Sequence, residues 1–198
     1  MANEHREPPD LVVIRHGQSD WNARRLIQGQ NNESRLTATG RDEALRAAHE
    51  LQALGLELIV TSDLARAVET AQIIASVLGL DVEVDTDLRE RSYGVIEGGS
   101  LDEVTPELGG ITDGVVTNED ARPEGGESLR ALRERTGRFL RASNRRWPEE
   151  RLLVVTHGGT VRALRSYAER TPLQGMPWDV VANCTTWRIP RRFVDSAL

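Results

Sequence analysis

An arginine and a histidine stand side by side at Arg15 and His16, directly after the aliphatic run LVVI and before a glycine. A neighbouring guanidinium disfavours the imidazolium form of a histidine, so the pair is a poor choice for stability alone. We therefore expect an anion to bind between the two side chains.

Three other residues of suitable chemistry follow predicted strands in the same way. His157, with two glycines after it, follows the run LLVV. Arg66 lies in the first turn of the helix after LELIV, and Glu90 lies in the turn after VEV. Because ligands of open α/β sheets bind beyond the carboxyl ends of the strands, all five residues can converge on one crevice.

Two arginines, two histidines and a glutamate together suit phosphoryl transfer. Two guanidinium forks can hold phosphate oxygens and stabilise the charge of a phosphoryl group in transit, so we expect neither a metal ion nor a cofactor. A neutral imidazole is a competent nucleophile toward phosphorus, and a second histidine can donate a hydrogen bond to the phosphoryl oxygens. The carboxyl group of Glu90 can protonate the leaving alkoxide and then accept a proton from the attacking water.

The elements that must position these residues alternate along the chain. Short aliphatic runs predict buried strands at 11–14, 56–60, 82–84 and 152–155, with a further strand at 185–189. Apolar periodicity predicts helices at 37–54, 62–78, 127–144 and 159–169, with Thr37 and Ser62 as N-caps. Such alternation predicts an α/β fold, a three-layer α/β/α sandwich with a largely parallel central sheet.

The remaining segments are weakly patterned. We expect residues 1–10 to be disordered and residues 11–198 to form a single catalytic domain. Residues 98–126 are rich in Gly, Asp, Glu and Thr and predict a long insertion or lid loop with room for one short helix. Trp21 and Trp178 could line a pocket, but core packing is the simpler expectation for both.

Composition excludes several classes of function. The net charge of −6 argues against nucleic-acid or anionic-membrane binding, and no segment reaches the length of a membrane span. All 25 basic residues are arginines, which excludes a Schiff-base lysine and a phosphate-loop lysine, while the single cysteine excludes an internal disulfide. We expect a cytoplasmic protein whose partner is a small phosphorylated metabolite, with a homodimer left open.

Several motifs, in order, resemble the histidine phosphatase superfamily, whose members include the phosphoglycerate mutases. They are RHGQSDWN, LTATG, SDLARAVETA, LRE, PEGGES and VVTHGG, and the resemblance runs from residue 11 to residue 189. It implies that His16 is the nucleophile that forms phosphohistidine and that Glu90 is the general acid and base. It also implies a phosphate pocket formed by Arg15, Arg66 and His157.

The resemblance extends to residues around this pocket. By position it implies pocket-lining roles for Asn22, Gln28, Gly29 and Gly158. Arg91 and Tyr93 follow Glu90 in the motif ERSYG, and they could either contact the substrate or brace Glu90.

Departures from the mutase pattern favour a metal-independent phosphomonoester hydrolase. Mutases of this family place a lysine after the ERSYG motif and carry paired arginines in a longer insertion, whereas this chain has no lysine and only Arg122 within residues 98–126. The acidic insertion favours a neutral or small organic portion of the substrate over polyanions. A cofactor-dependent phosphomutase and a catalytically idle domain that binds phosphorylated ligands are the alternatives.

Overall fold

The structure is a computed structural model that describes residues 9–104 and 109–191. Most of the segment with predicted disorder, residues 1–10, lies outside the described residues. The strands are β1 (Leu11–Arg15), β2 (Leu58–Thr61), β3 (Val82–Val84), β4 (Ile111–Thr112), β5 (Val115–Val116), β6 (Leu152–Thr156) and β7 (Thr186–Ile189). The α-helices are α1 (Asp20–Ala23), α2 (Ala38–Leu51), α3 (Ala65–Leu78), α4 (Leu129–Arg146) and α5 (Gly158–Ala168).

Five strands form the central sheet, in the order β3-β2-β6-β1-β7. The first four are mutually parallel, and β7 runs antiparallel to β1. This arrangement confirms the predicted α/β fold with a mostly parallel sheet. The observed β2 begins two residues later than predicted, at Leu58.

Alternate residues of each central strand face opposite helical layers. Leu11 and Val13 pack in one cluster with residues of α4 and α5, whereas Val12 and Ile14 pack in a second cluster with residues of α2 and α3. Because both faces are covered, the strands read as continuous aliphatic runs rather than as alternating patterns. The three layers bring the carboxyl ends of β1, β2 and β6 to one edge of the sheet.

One helix cap was predicted wrongly, and one short helix was not predicted. The α3 helix begins at Ala65 after Leu64, which provides no side-chain cap, so the prediction of Ser62 as its N-cap is wrong. The hydroxyl of Ser62 instead lies 2.9 Å from Nε2 of His157. Thr37 does cap α2, accepting the Gly40 N–H at 3.0 Å, and the short α1 was not predicted.

The insertion contains more regular structure than predicted. Strands β4 and β5 form a hairpin, and the Trp178 N–H donates to the Gly114 carbonyl at 2.6 Å. Val116 of β5 packs with Leu129 of α4 and with Leu173. The described part of the insertion is thereby docked onto the segment that follows α5.

Candidate active site

One ring nitrogen of His16 makes a hydrogen bond and the other does not within the described residues. Its Nδ1 lies 2.7 Å from the Gly17 carbonyl, and the side chain is 2% exposed. A carbonyl can only accept, so Nδ1 carries the proton and the neutral ring keeps its lone pair on Nε2. Burial, together with the charges of Arg66 and Arg15, holds the pKa of His16 well below its usual value, so the ring is neutral at pH 7.

Three buried nitrogen atoms near this histidine have no hydrogen-bond partner within the described residues. They are Nε of Arg15, Nε of Arg66 and Nδ1 of His157. Unpaired polar atoms are costly in a protein interior, so their presence on three neighbouring side chains indicates a built ligand site. The missing partner must be an acceptor for the two guanidinium groups, which can only donate.

Backbone carbonyls fix the guanidinium groups of Arg15 and Arg66. The guanidinium of Arg66 donates to the carbonyls of Asn31, at 3.0 Å, and Gly29, at 2.7 Å. The guanidinium of Arg15 donates to the Val181 carbonyl. Burial lowers the pKa of Arg66 to about 10, so both side chains remain charged at neutral pH.

The second histidine faces the first edge-on. The ring centroids of His16 and His157 are 5.1 Å apart, with an angle of 61° between the ring planes. When Ser62 donates its hydroxyl proton to Nε2, the proton of the neutral His157 ring resides on Nδ1, the atom without a partner. His157 can then donate a hydrogen bond to an anion bound beside His16.

Glu90 lies at the N-terminus of α5. Its carboxylate accepts the N–H of Gly159 at 2.9 Å and the N–H of Arg91 at 2.8 Å. A Cβ on residue 159 would overlap Oε1 of Glu90, so only glycine permits this close approach. Burial lowers the pKa of both Arg15 and Arg66, and the nearby charge of Glu90 offsets part of this effect.

The predicted pocket-lining residues fall into two groups. Gly29, at a φ of +50°, holds Arg66 through its carbonyl, and Gly158 lies 3.8 Å from Nε of Arg15, measured from the position that a Cβ would take. Asn22 and Gln28 both contact the hydroxyl of Ser19, at 3.0 and 2.9 Å. Gly29 and Gly158 therefore lie against the pocket arginines, whereas these hydrogen bonds place Asn22 and Gln28 around Ser19.

The guanidinium of Arg91 is bonded to backbone carbonyls. Its fully buried guanidinium donates to the carbonyls of Gly109 at 2.8 Å, Ala121 at 2.7 Å and Glu127 at 2.7 Å. This geometry favours the bracing role over substrate contact, because the side chain ties the insertion to the segment after Glu90. Tyr93 stacks under Arg91, with the guanidinium carbon 5.0 Å from the ring centroid.

Arg135 of α4 is a residue that sequence reasoning missed. Its guanidinium donates to the carbonyls of Asp87 at 2.7 Å, Arg89 at 2.9 Å and Glu90 at 3.2 Å, and it pairs with both carboxylate oxygens of Glu127. The three bonds to carbonyls fix the turn that carries Glu90, and the two bonds to Glu127 fix the guanidinium itself. The Glu-Ser pair before α4 was a signal for Glu127, but the periodicity of a helix with many arginines singled out none of them.

Two classes of site are not found in the described part of the chain. Within residues 9–104 and 109–191, no group of three or more His, Cys, Asp or Glu side chains is arranged to hold a metal ion. None of the described helices is long and apolar enough to cross a membrane.

Fold and site together define an α/β protein with unpaired buried nitrogen atoms around a buried histidine. The chain belongs to the histidine phosphatase superfamily (branch 1), which it matches over residues 11–191. It is 38% identical over 169 residues to the "Probable phosphoglycerate mutase GpmB" of Salmonella paratyphi B, covering 81% of this chain and 78% of that protein.

Solved structures give the same family. A mycobacterial glucosyl-3-phosphoglycerate phosphatase in complex with VO3 is 30% identical, with a TM-score of 0.78, over 90% of this chain and 89% of that one. Bacillus stearothermophilus YhfR is also 30% identical, with a TM-score of 0.73, over 83% and 82% of the two chains. Family and neighbours support an enzyme of the histidine phosphatase type.

Proposed function

We propose that this protein is a metal-independent phosphomonoester hydrolase that acts on a small phosphorylated metabolite through a phosphohistidine at His16. The observation that supports this most is the set of three unpartnered nitrogen atoms, on Arg15, Arg66 and His157, beside a histidine whose Nε2 is free. Their positions and donor chemistry suit the oxygens of a phosphoryl group.

In the first step, Nε2 of His16 attacks the phosphorus. The N–P bond forms as the P–O bond to the alcohol breaks, and Glu90 in its protonated form donates a proton to the departing oxygen. Arg15, Arg66 and His157 hold the phosphoryl oxygens, where negative charge must be stabilised in the transition state. The alcohol leaves, and the phosphoryl group stays on His16.

In the second step, water replaces the histidine. Glu90, now a carboxylate, takes a proton from the water as its oxygen attacks phosphorus and the N–P bond breaks. Free phosphate and neutral His16 result, and Glu90 is again protonated. Because the arginines carry the required positive charge, the scheme needs no metal ion.

The test is phosphate release, in the presence of EDTA, from a panel of phosphomonoesters that includes 3-phosphoglycerate and sugar phosphates. Wild type should release phosphate, and His16→Ala should release none. His49→Ala, which changes a histidine on the last turn of α2, is the matched control. Release that depends on added metal, or that survives His16→Ala, would refute the proposal.

A phosphomutase is the second candidate, favoured by the 38% identity to the Salmonella protein named as a phosphoglycerate mutase. The same assay separates the two, because a mutase would convert 3-phosphoglycerate to its isomer with little free phosphate. Tight phosphate binding without either reaction would instead identify an idle binding domain.

A further inference from the structure

A third arginine, Arg162 of α5, lies beside the phosphate pocket. Its Nη1 and the Nε of Arg15 each lie 3.8 Å from the position that a Cβ on Gly158 would occupy. The two atoms are therefore less than twice that distance apart. Burial lowers the pKa of Arg162, and the nearby charge of Glu90 acts in the opposite direction.

The guanidinium of Arg162 is fixed on one edge and free on the other. Its Nε donates to the Asp179 carbonyl at 2.7 Å, and Nη2 donates to the same oxygen. The ring of Trp178 covers one face, with its centroid 4.5 Å from the guanidinium carbon. Within the described residues, Arg162 has no ion-pair partner and its Nη1 has no hydrogen-bond acceptor. This atom can therefore donate to a ligand.

Charge balance indicates which ligand fits. Arg15, Arg66 and Arg162 carry three positive charges, and Glu90 must enter the proposed first step uncharged because it is the proton donor of that step. A phosphoryl dianion neutralises two of these charges, which leaves one for a single negative group on the alcohol portion. A carboxylate supplies one charge and matches a guanidinium edge in geometry, whereas a second phosphate would bring too much negative charge.

Three acidic residues in the described part of the insertion are paired with arginines other than Arg162. Glu119 and Asp120 both pair with Arg130 on the surface, and Asp102 pairs with Arg25. Their charges are thus partnered away from Arg162. The expectation drawn from the insertion was directed against polyanions, and a small substrate with one carboxylate does not conflict with it.

We propose that Arg162 binds a carboxylate on the alcohol portion of the substrate, so that the enzyme prefers phosphomonoesters of small hydroxy acids to their carboxylate-free counterparts. The inference rests on the proposed phosphatase function, and it narrows the substrate class. Arg162 would act on substrate binding and orientation, leaving the phosphoryl group to the three pocket residues.

The test compares substrate pairs that differ at the carboxylate. O-phosphoserine is set against O-phosphoethanolamine, and 3-phosphoglycerate against glycerol 3-phosphate. Arg162→Met keeps the apolar stem and removes the charge, while Arg162→Lys keeps a charge without the fork. Arg165→Met is the matched control, because Arg165 lies on the same helix and pairs on the surface with Glu169 at 3.6 Å.

Wild type should prefer the carboxylated member of each pair. Arg162→Met should lower kcat/KM for that member by about 10- to 100-fold, the usual effect of losing a hydrogen bond between charged groups. The carboxylate-free member should change less than about threefold, inhibition by inorganic phosphate should be unchanged, and Arg165→Met should resemble wild type. Partial rescue by Arg162→Lys is expected.

Two results would overturn the inference while leaving the phosphatase intact. One is an equal loss on both members of each pair, with weaker inhibition by phosphate, which would place Arg162 on the phosphoryl group. The other is a wild-type preference for the carboxylate-free members. Absence of His16-dependent release from every substrate would instead refute the proposed function. In that case calorimetric binding of O-phosphoserine to wild type and to Arg162→Met still tests the carboxylate contact.

Discussion

The contact between Gly159 and Glu90 makes Gly159→Ala a sharp test of the acid–base assignment. The new Cβ would overlap Oε1 of Glu90 and lie 3.2 Å from its Cδ. The carboxylate must therefore move by roughly 1 Å to restore ordinary contact distances. That movement also breaks the 2.9 Å hydrogen bond from the Gly159 N–H to Oε2.

The magnitude follows from these two effects. A hydrogen bond to a charged group contributes about 1.5–3 kcal/mol, and a displacement of about 1 Å in a catalytic group costs on the order of 100-fold in rate. We expect kcat for an alkyl phosphate to fall about 100-fold, with inhibition by inorganic phosphate unchanged. The fold should remain stable, because alanine is a better helix former than glycine.

The assay uses two leaving groups. An alkoxide needs a proton from Glu90, whereas p-nitrophenolate leaves without one, so the first step with p-nitrophenyl phosphate should be nearly normal. The second step needs Glu90 as base with either substrate. Gly159→Ala should therefore show a burst of nitrophenol equal to the enzyme concentration, followed by slow turnover.

A double variant supplies the control. If Gly159→Ala acts through Glu90, adding it to Glu90→Gln should cost little more than Glu90→Gln alone. Equal loss on both leaving groups without a burst, weaker inhibition by phosphate, or wild-type rates in Gly159→Ala would refute the reasoning.

Three further predictions concern groups that hold the site or the fold. Arg135→Met should lower kcat about tenfold with phosphate inhibition unchanged, since the Glu90 turn loses its bonds; a steady-state assay checks this, and an unchanged kcat would contradict it. Burial and the nearby arginines depress the pKa of both His16 and His157, so the unfolded chain binds more protons below about pH 6.5. The free energy of unfolding should therefore fall as the pH drops below 6.5, by up to about 1.4 kcal/mol per pH unit for each histidine. In urea titrations of His157→Gln, this pH dependence should be smaller by the contribution of one histidine. Arg191→Met should destabilise the protein by about 2–4 kcal/mol in the same titrations, because its fully buried guanidinium bonds the Ser143 and Trp147 carbonyls; a change below about 1 kcal/mol would contradict this.

Local pattern was enough to predict the parallel sheet and the edge at which the site lies. The edge strand β3 was predicted to be buried but is only partly covered, with Val84 54% exposed. Strands buried on both faces have a simple signal, a short aliphatic run, and β1, β2 and β6 carry it. Residues at their carboxyl ends must converge whatever the loops do. The prediction failed where a residue's partner is set by tertiary contact, as with Ser62, which has the type of an N-cap and instead bonds a histidine 95 positions away.

Arginines were the harder case. The chain has 25 basic residues, all arginine, so residue type alone could not separate a ligand-binding guanidinium from a structural one. Arg91 and Arg135 are structural because backbone carbonyls distant in sequence surround them. Arg162 differs in that its Nη1 has no acceptor among the described residues, a property of its packing against Trp178 and Asp179.

The insertion was unpredictable for a related reason. The β4–β5 hairpin has only two residues in each strand, too few for an alternating pattern to emerge. Its stability comes from docking onto the chain around Leu173 and Trp178, which no local window contains.

The most direct test of the account is to trap the covalent intermediate. Glu90→Gln would be mixed with p-nitrophenyl phosphate, quenched under alkaline conditions that preserve phosphohistidine, digested and analysed by mass spectrometry. We expect one phosphoryl group per protein, on His16, and none in the variant that also carries His16→Ala. Phosphate release without a phosphoenzyme, or a phosphoryl group on a residue other than His16, would contradict it.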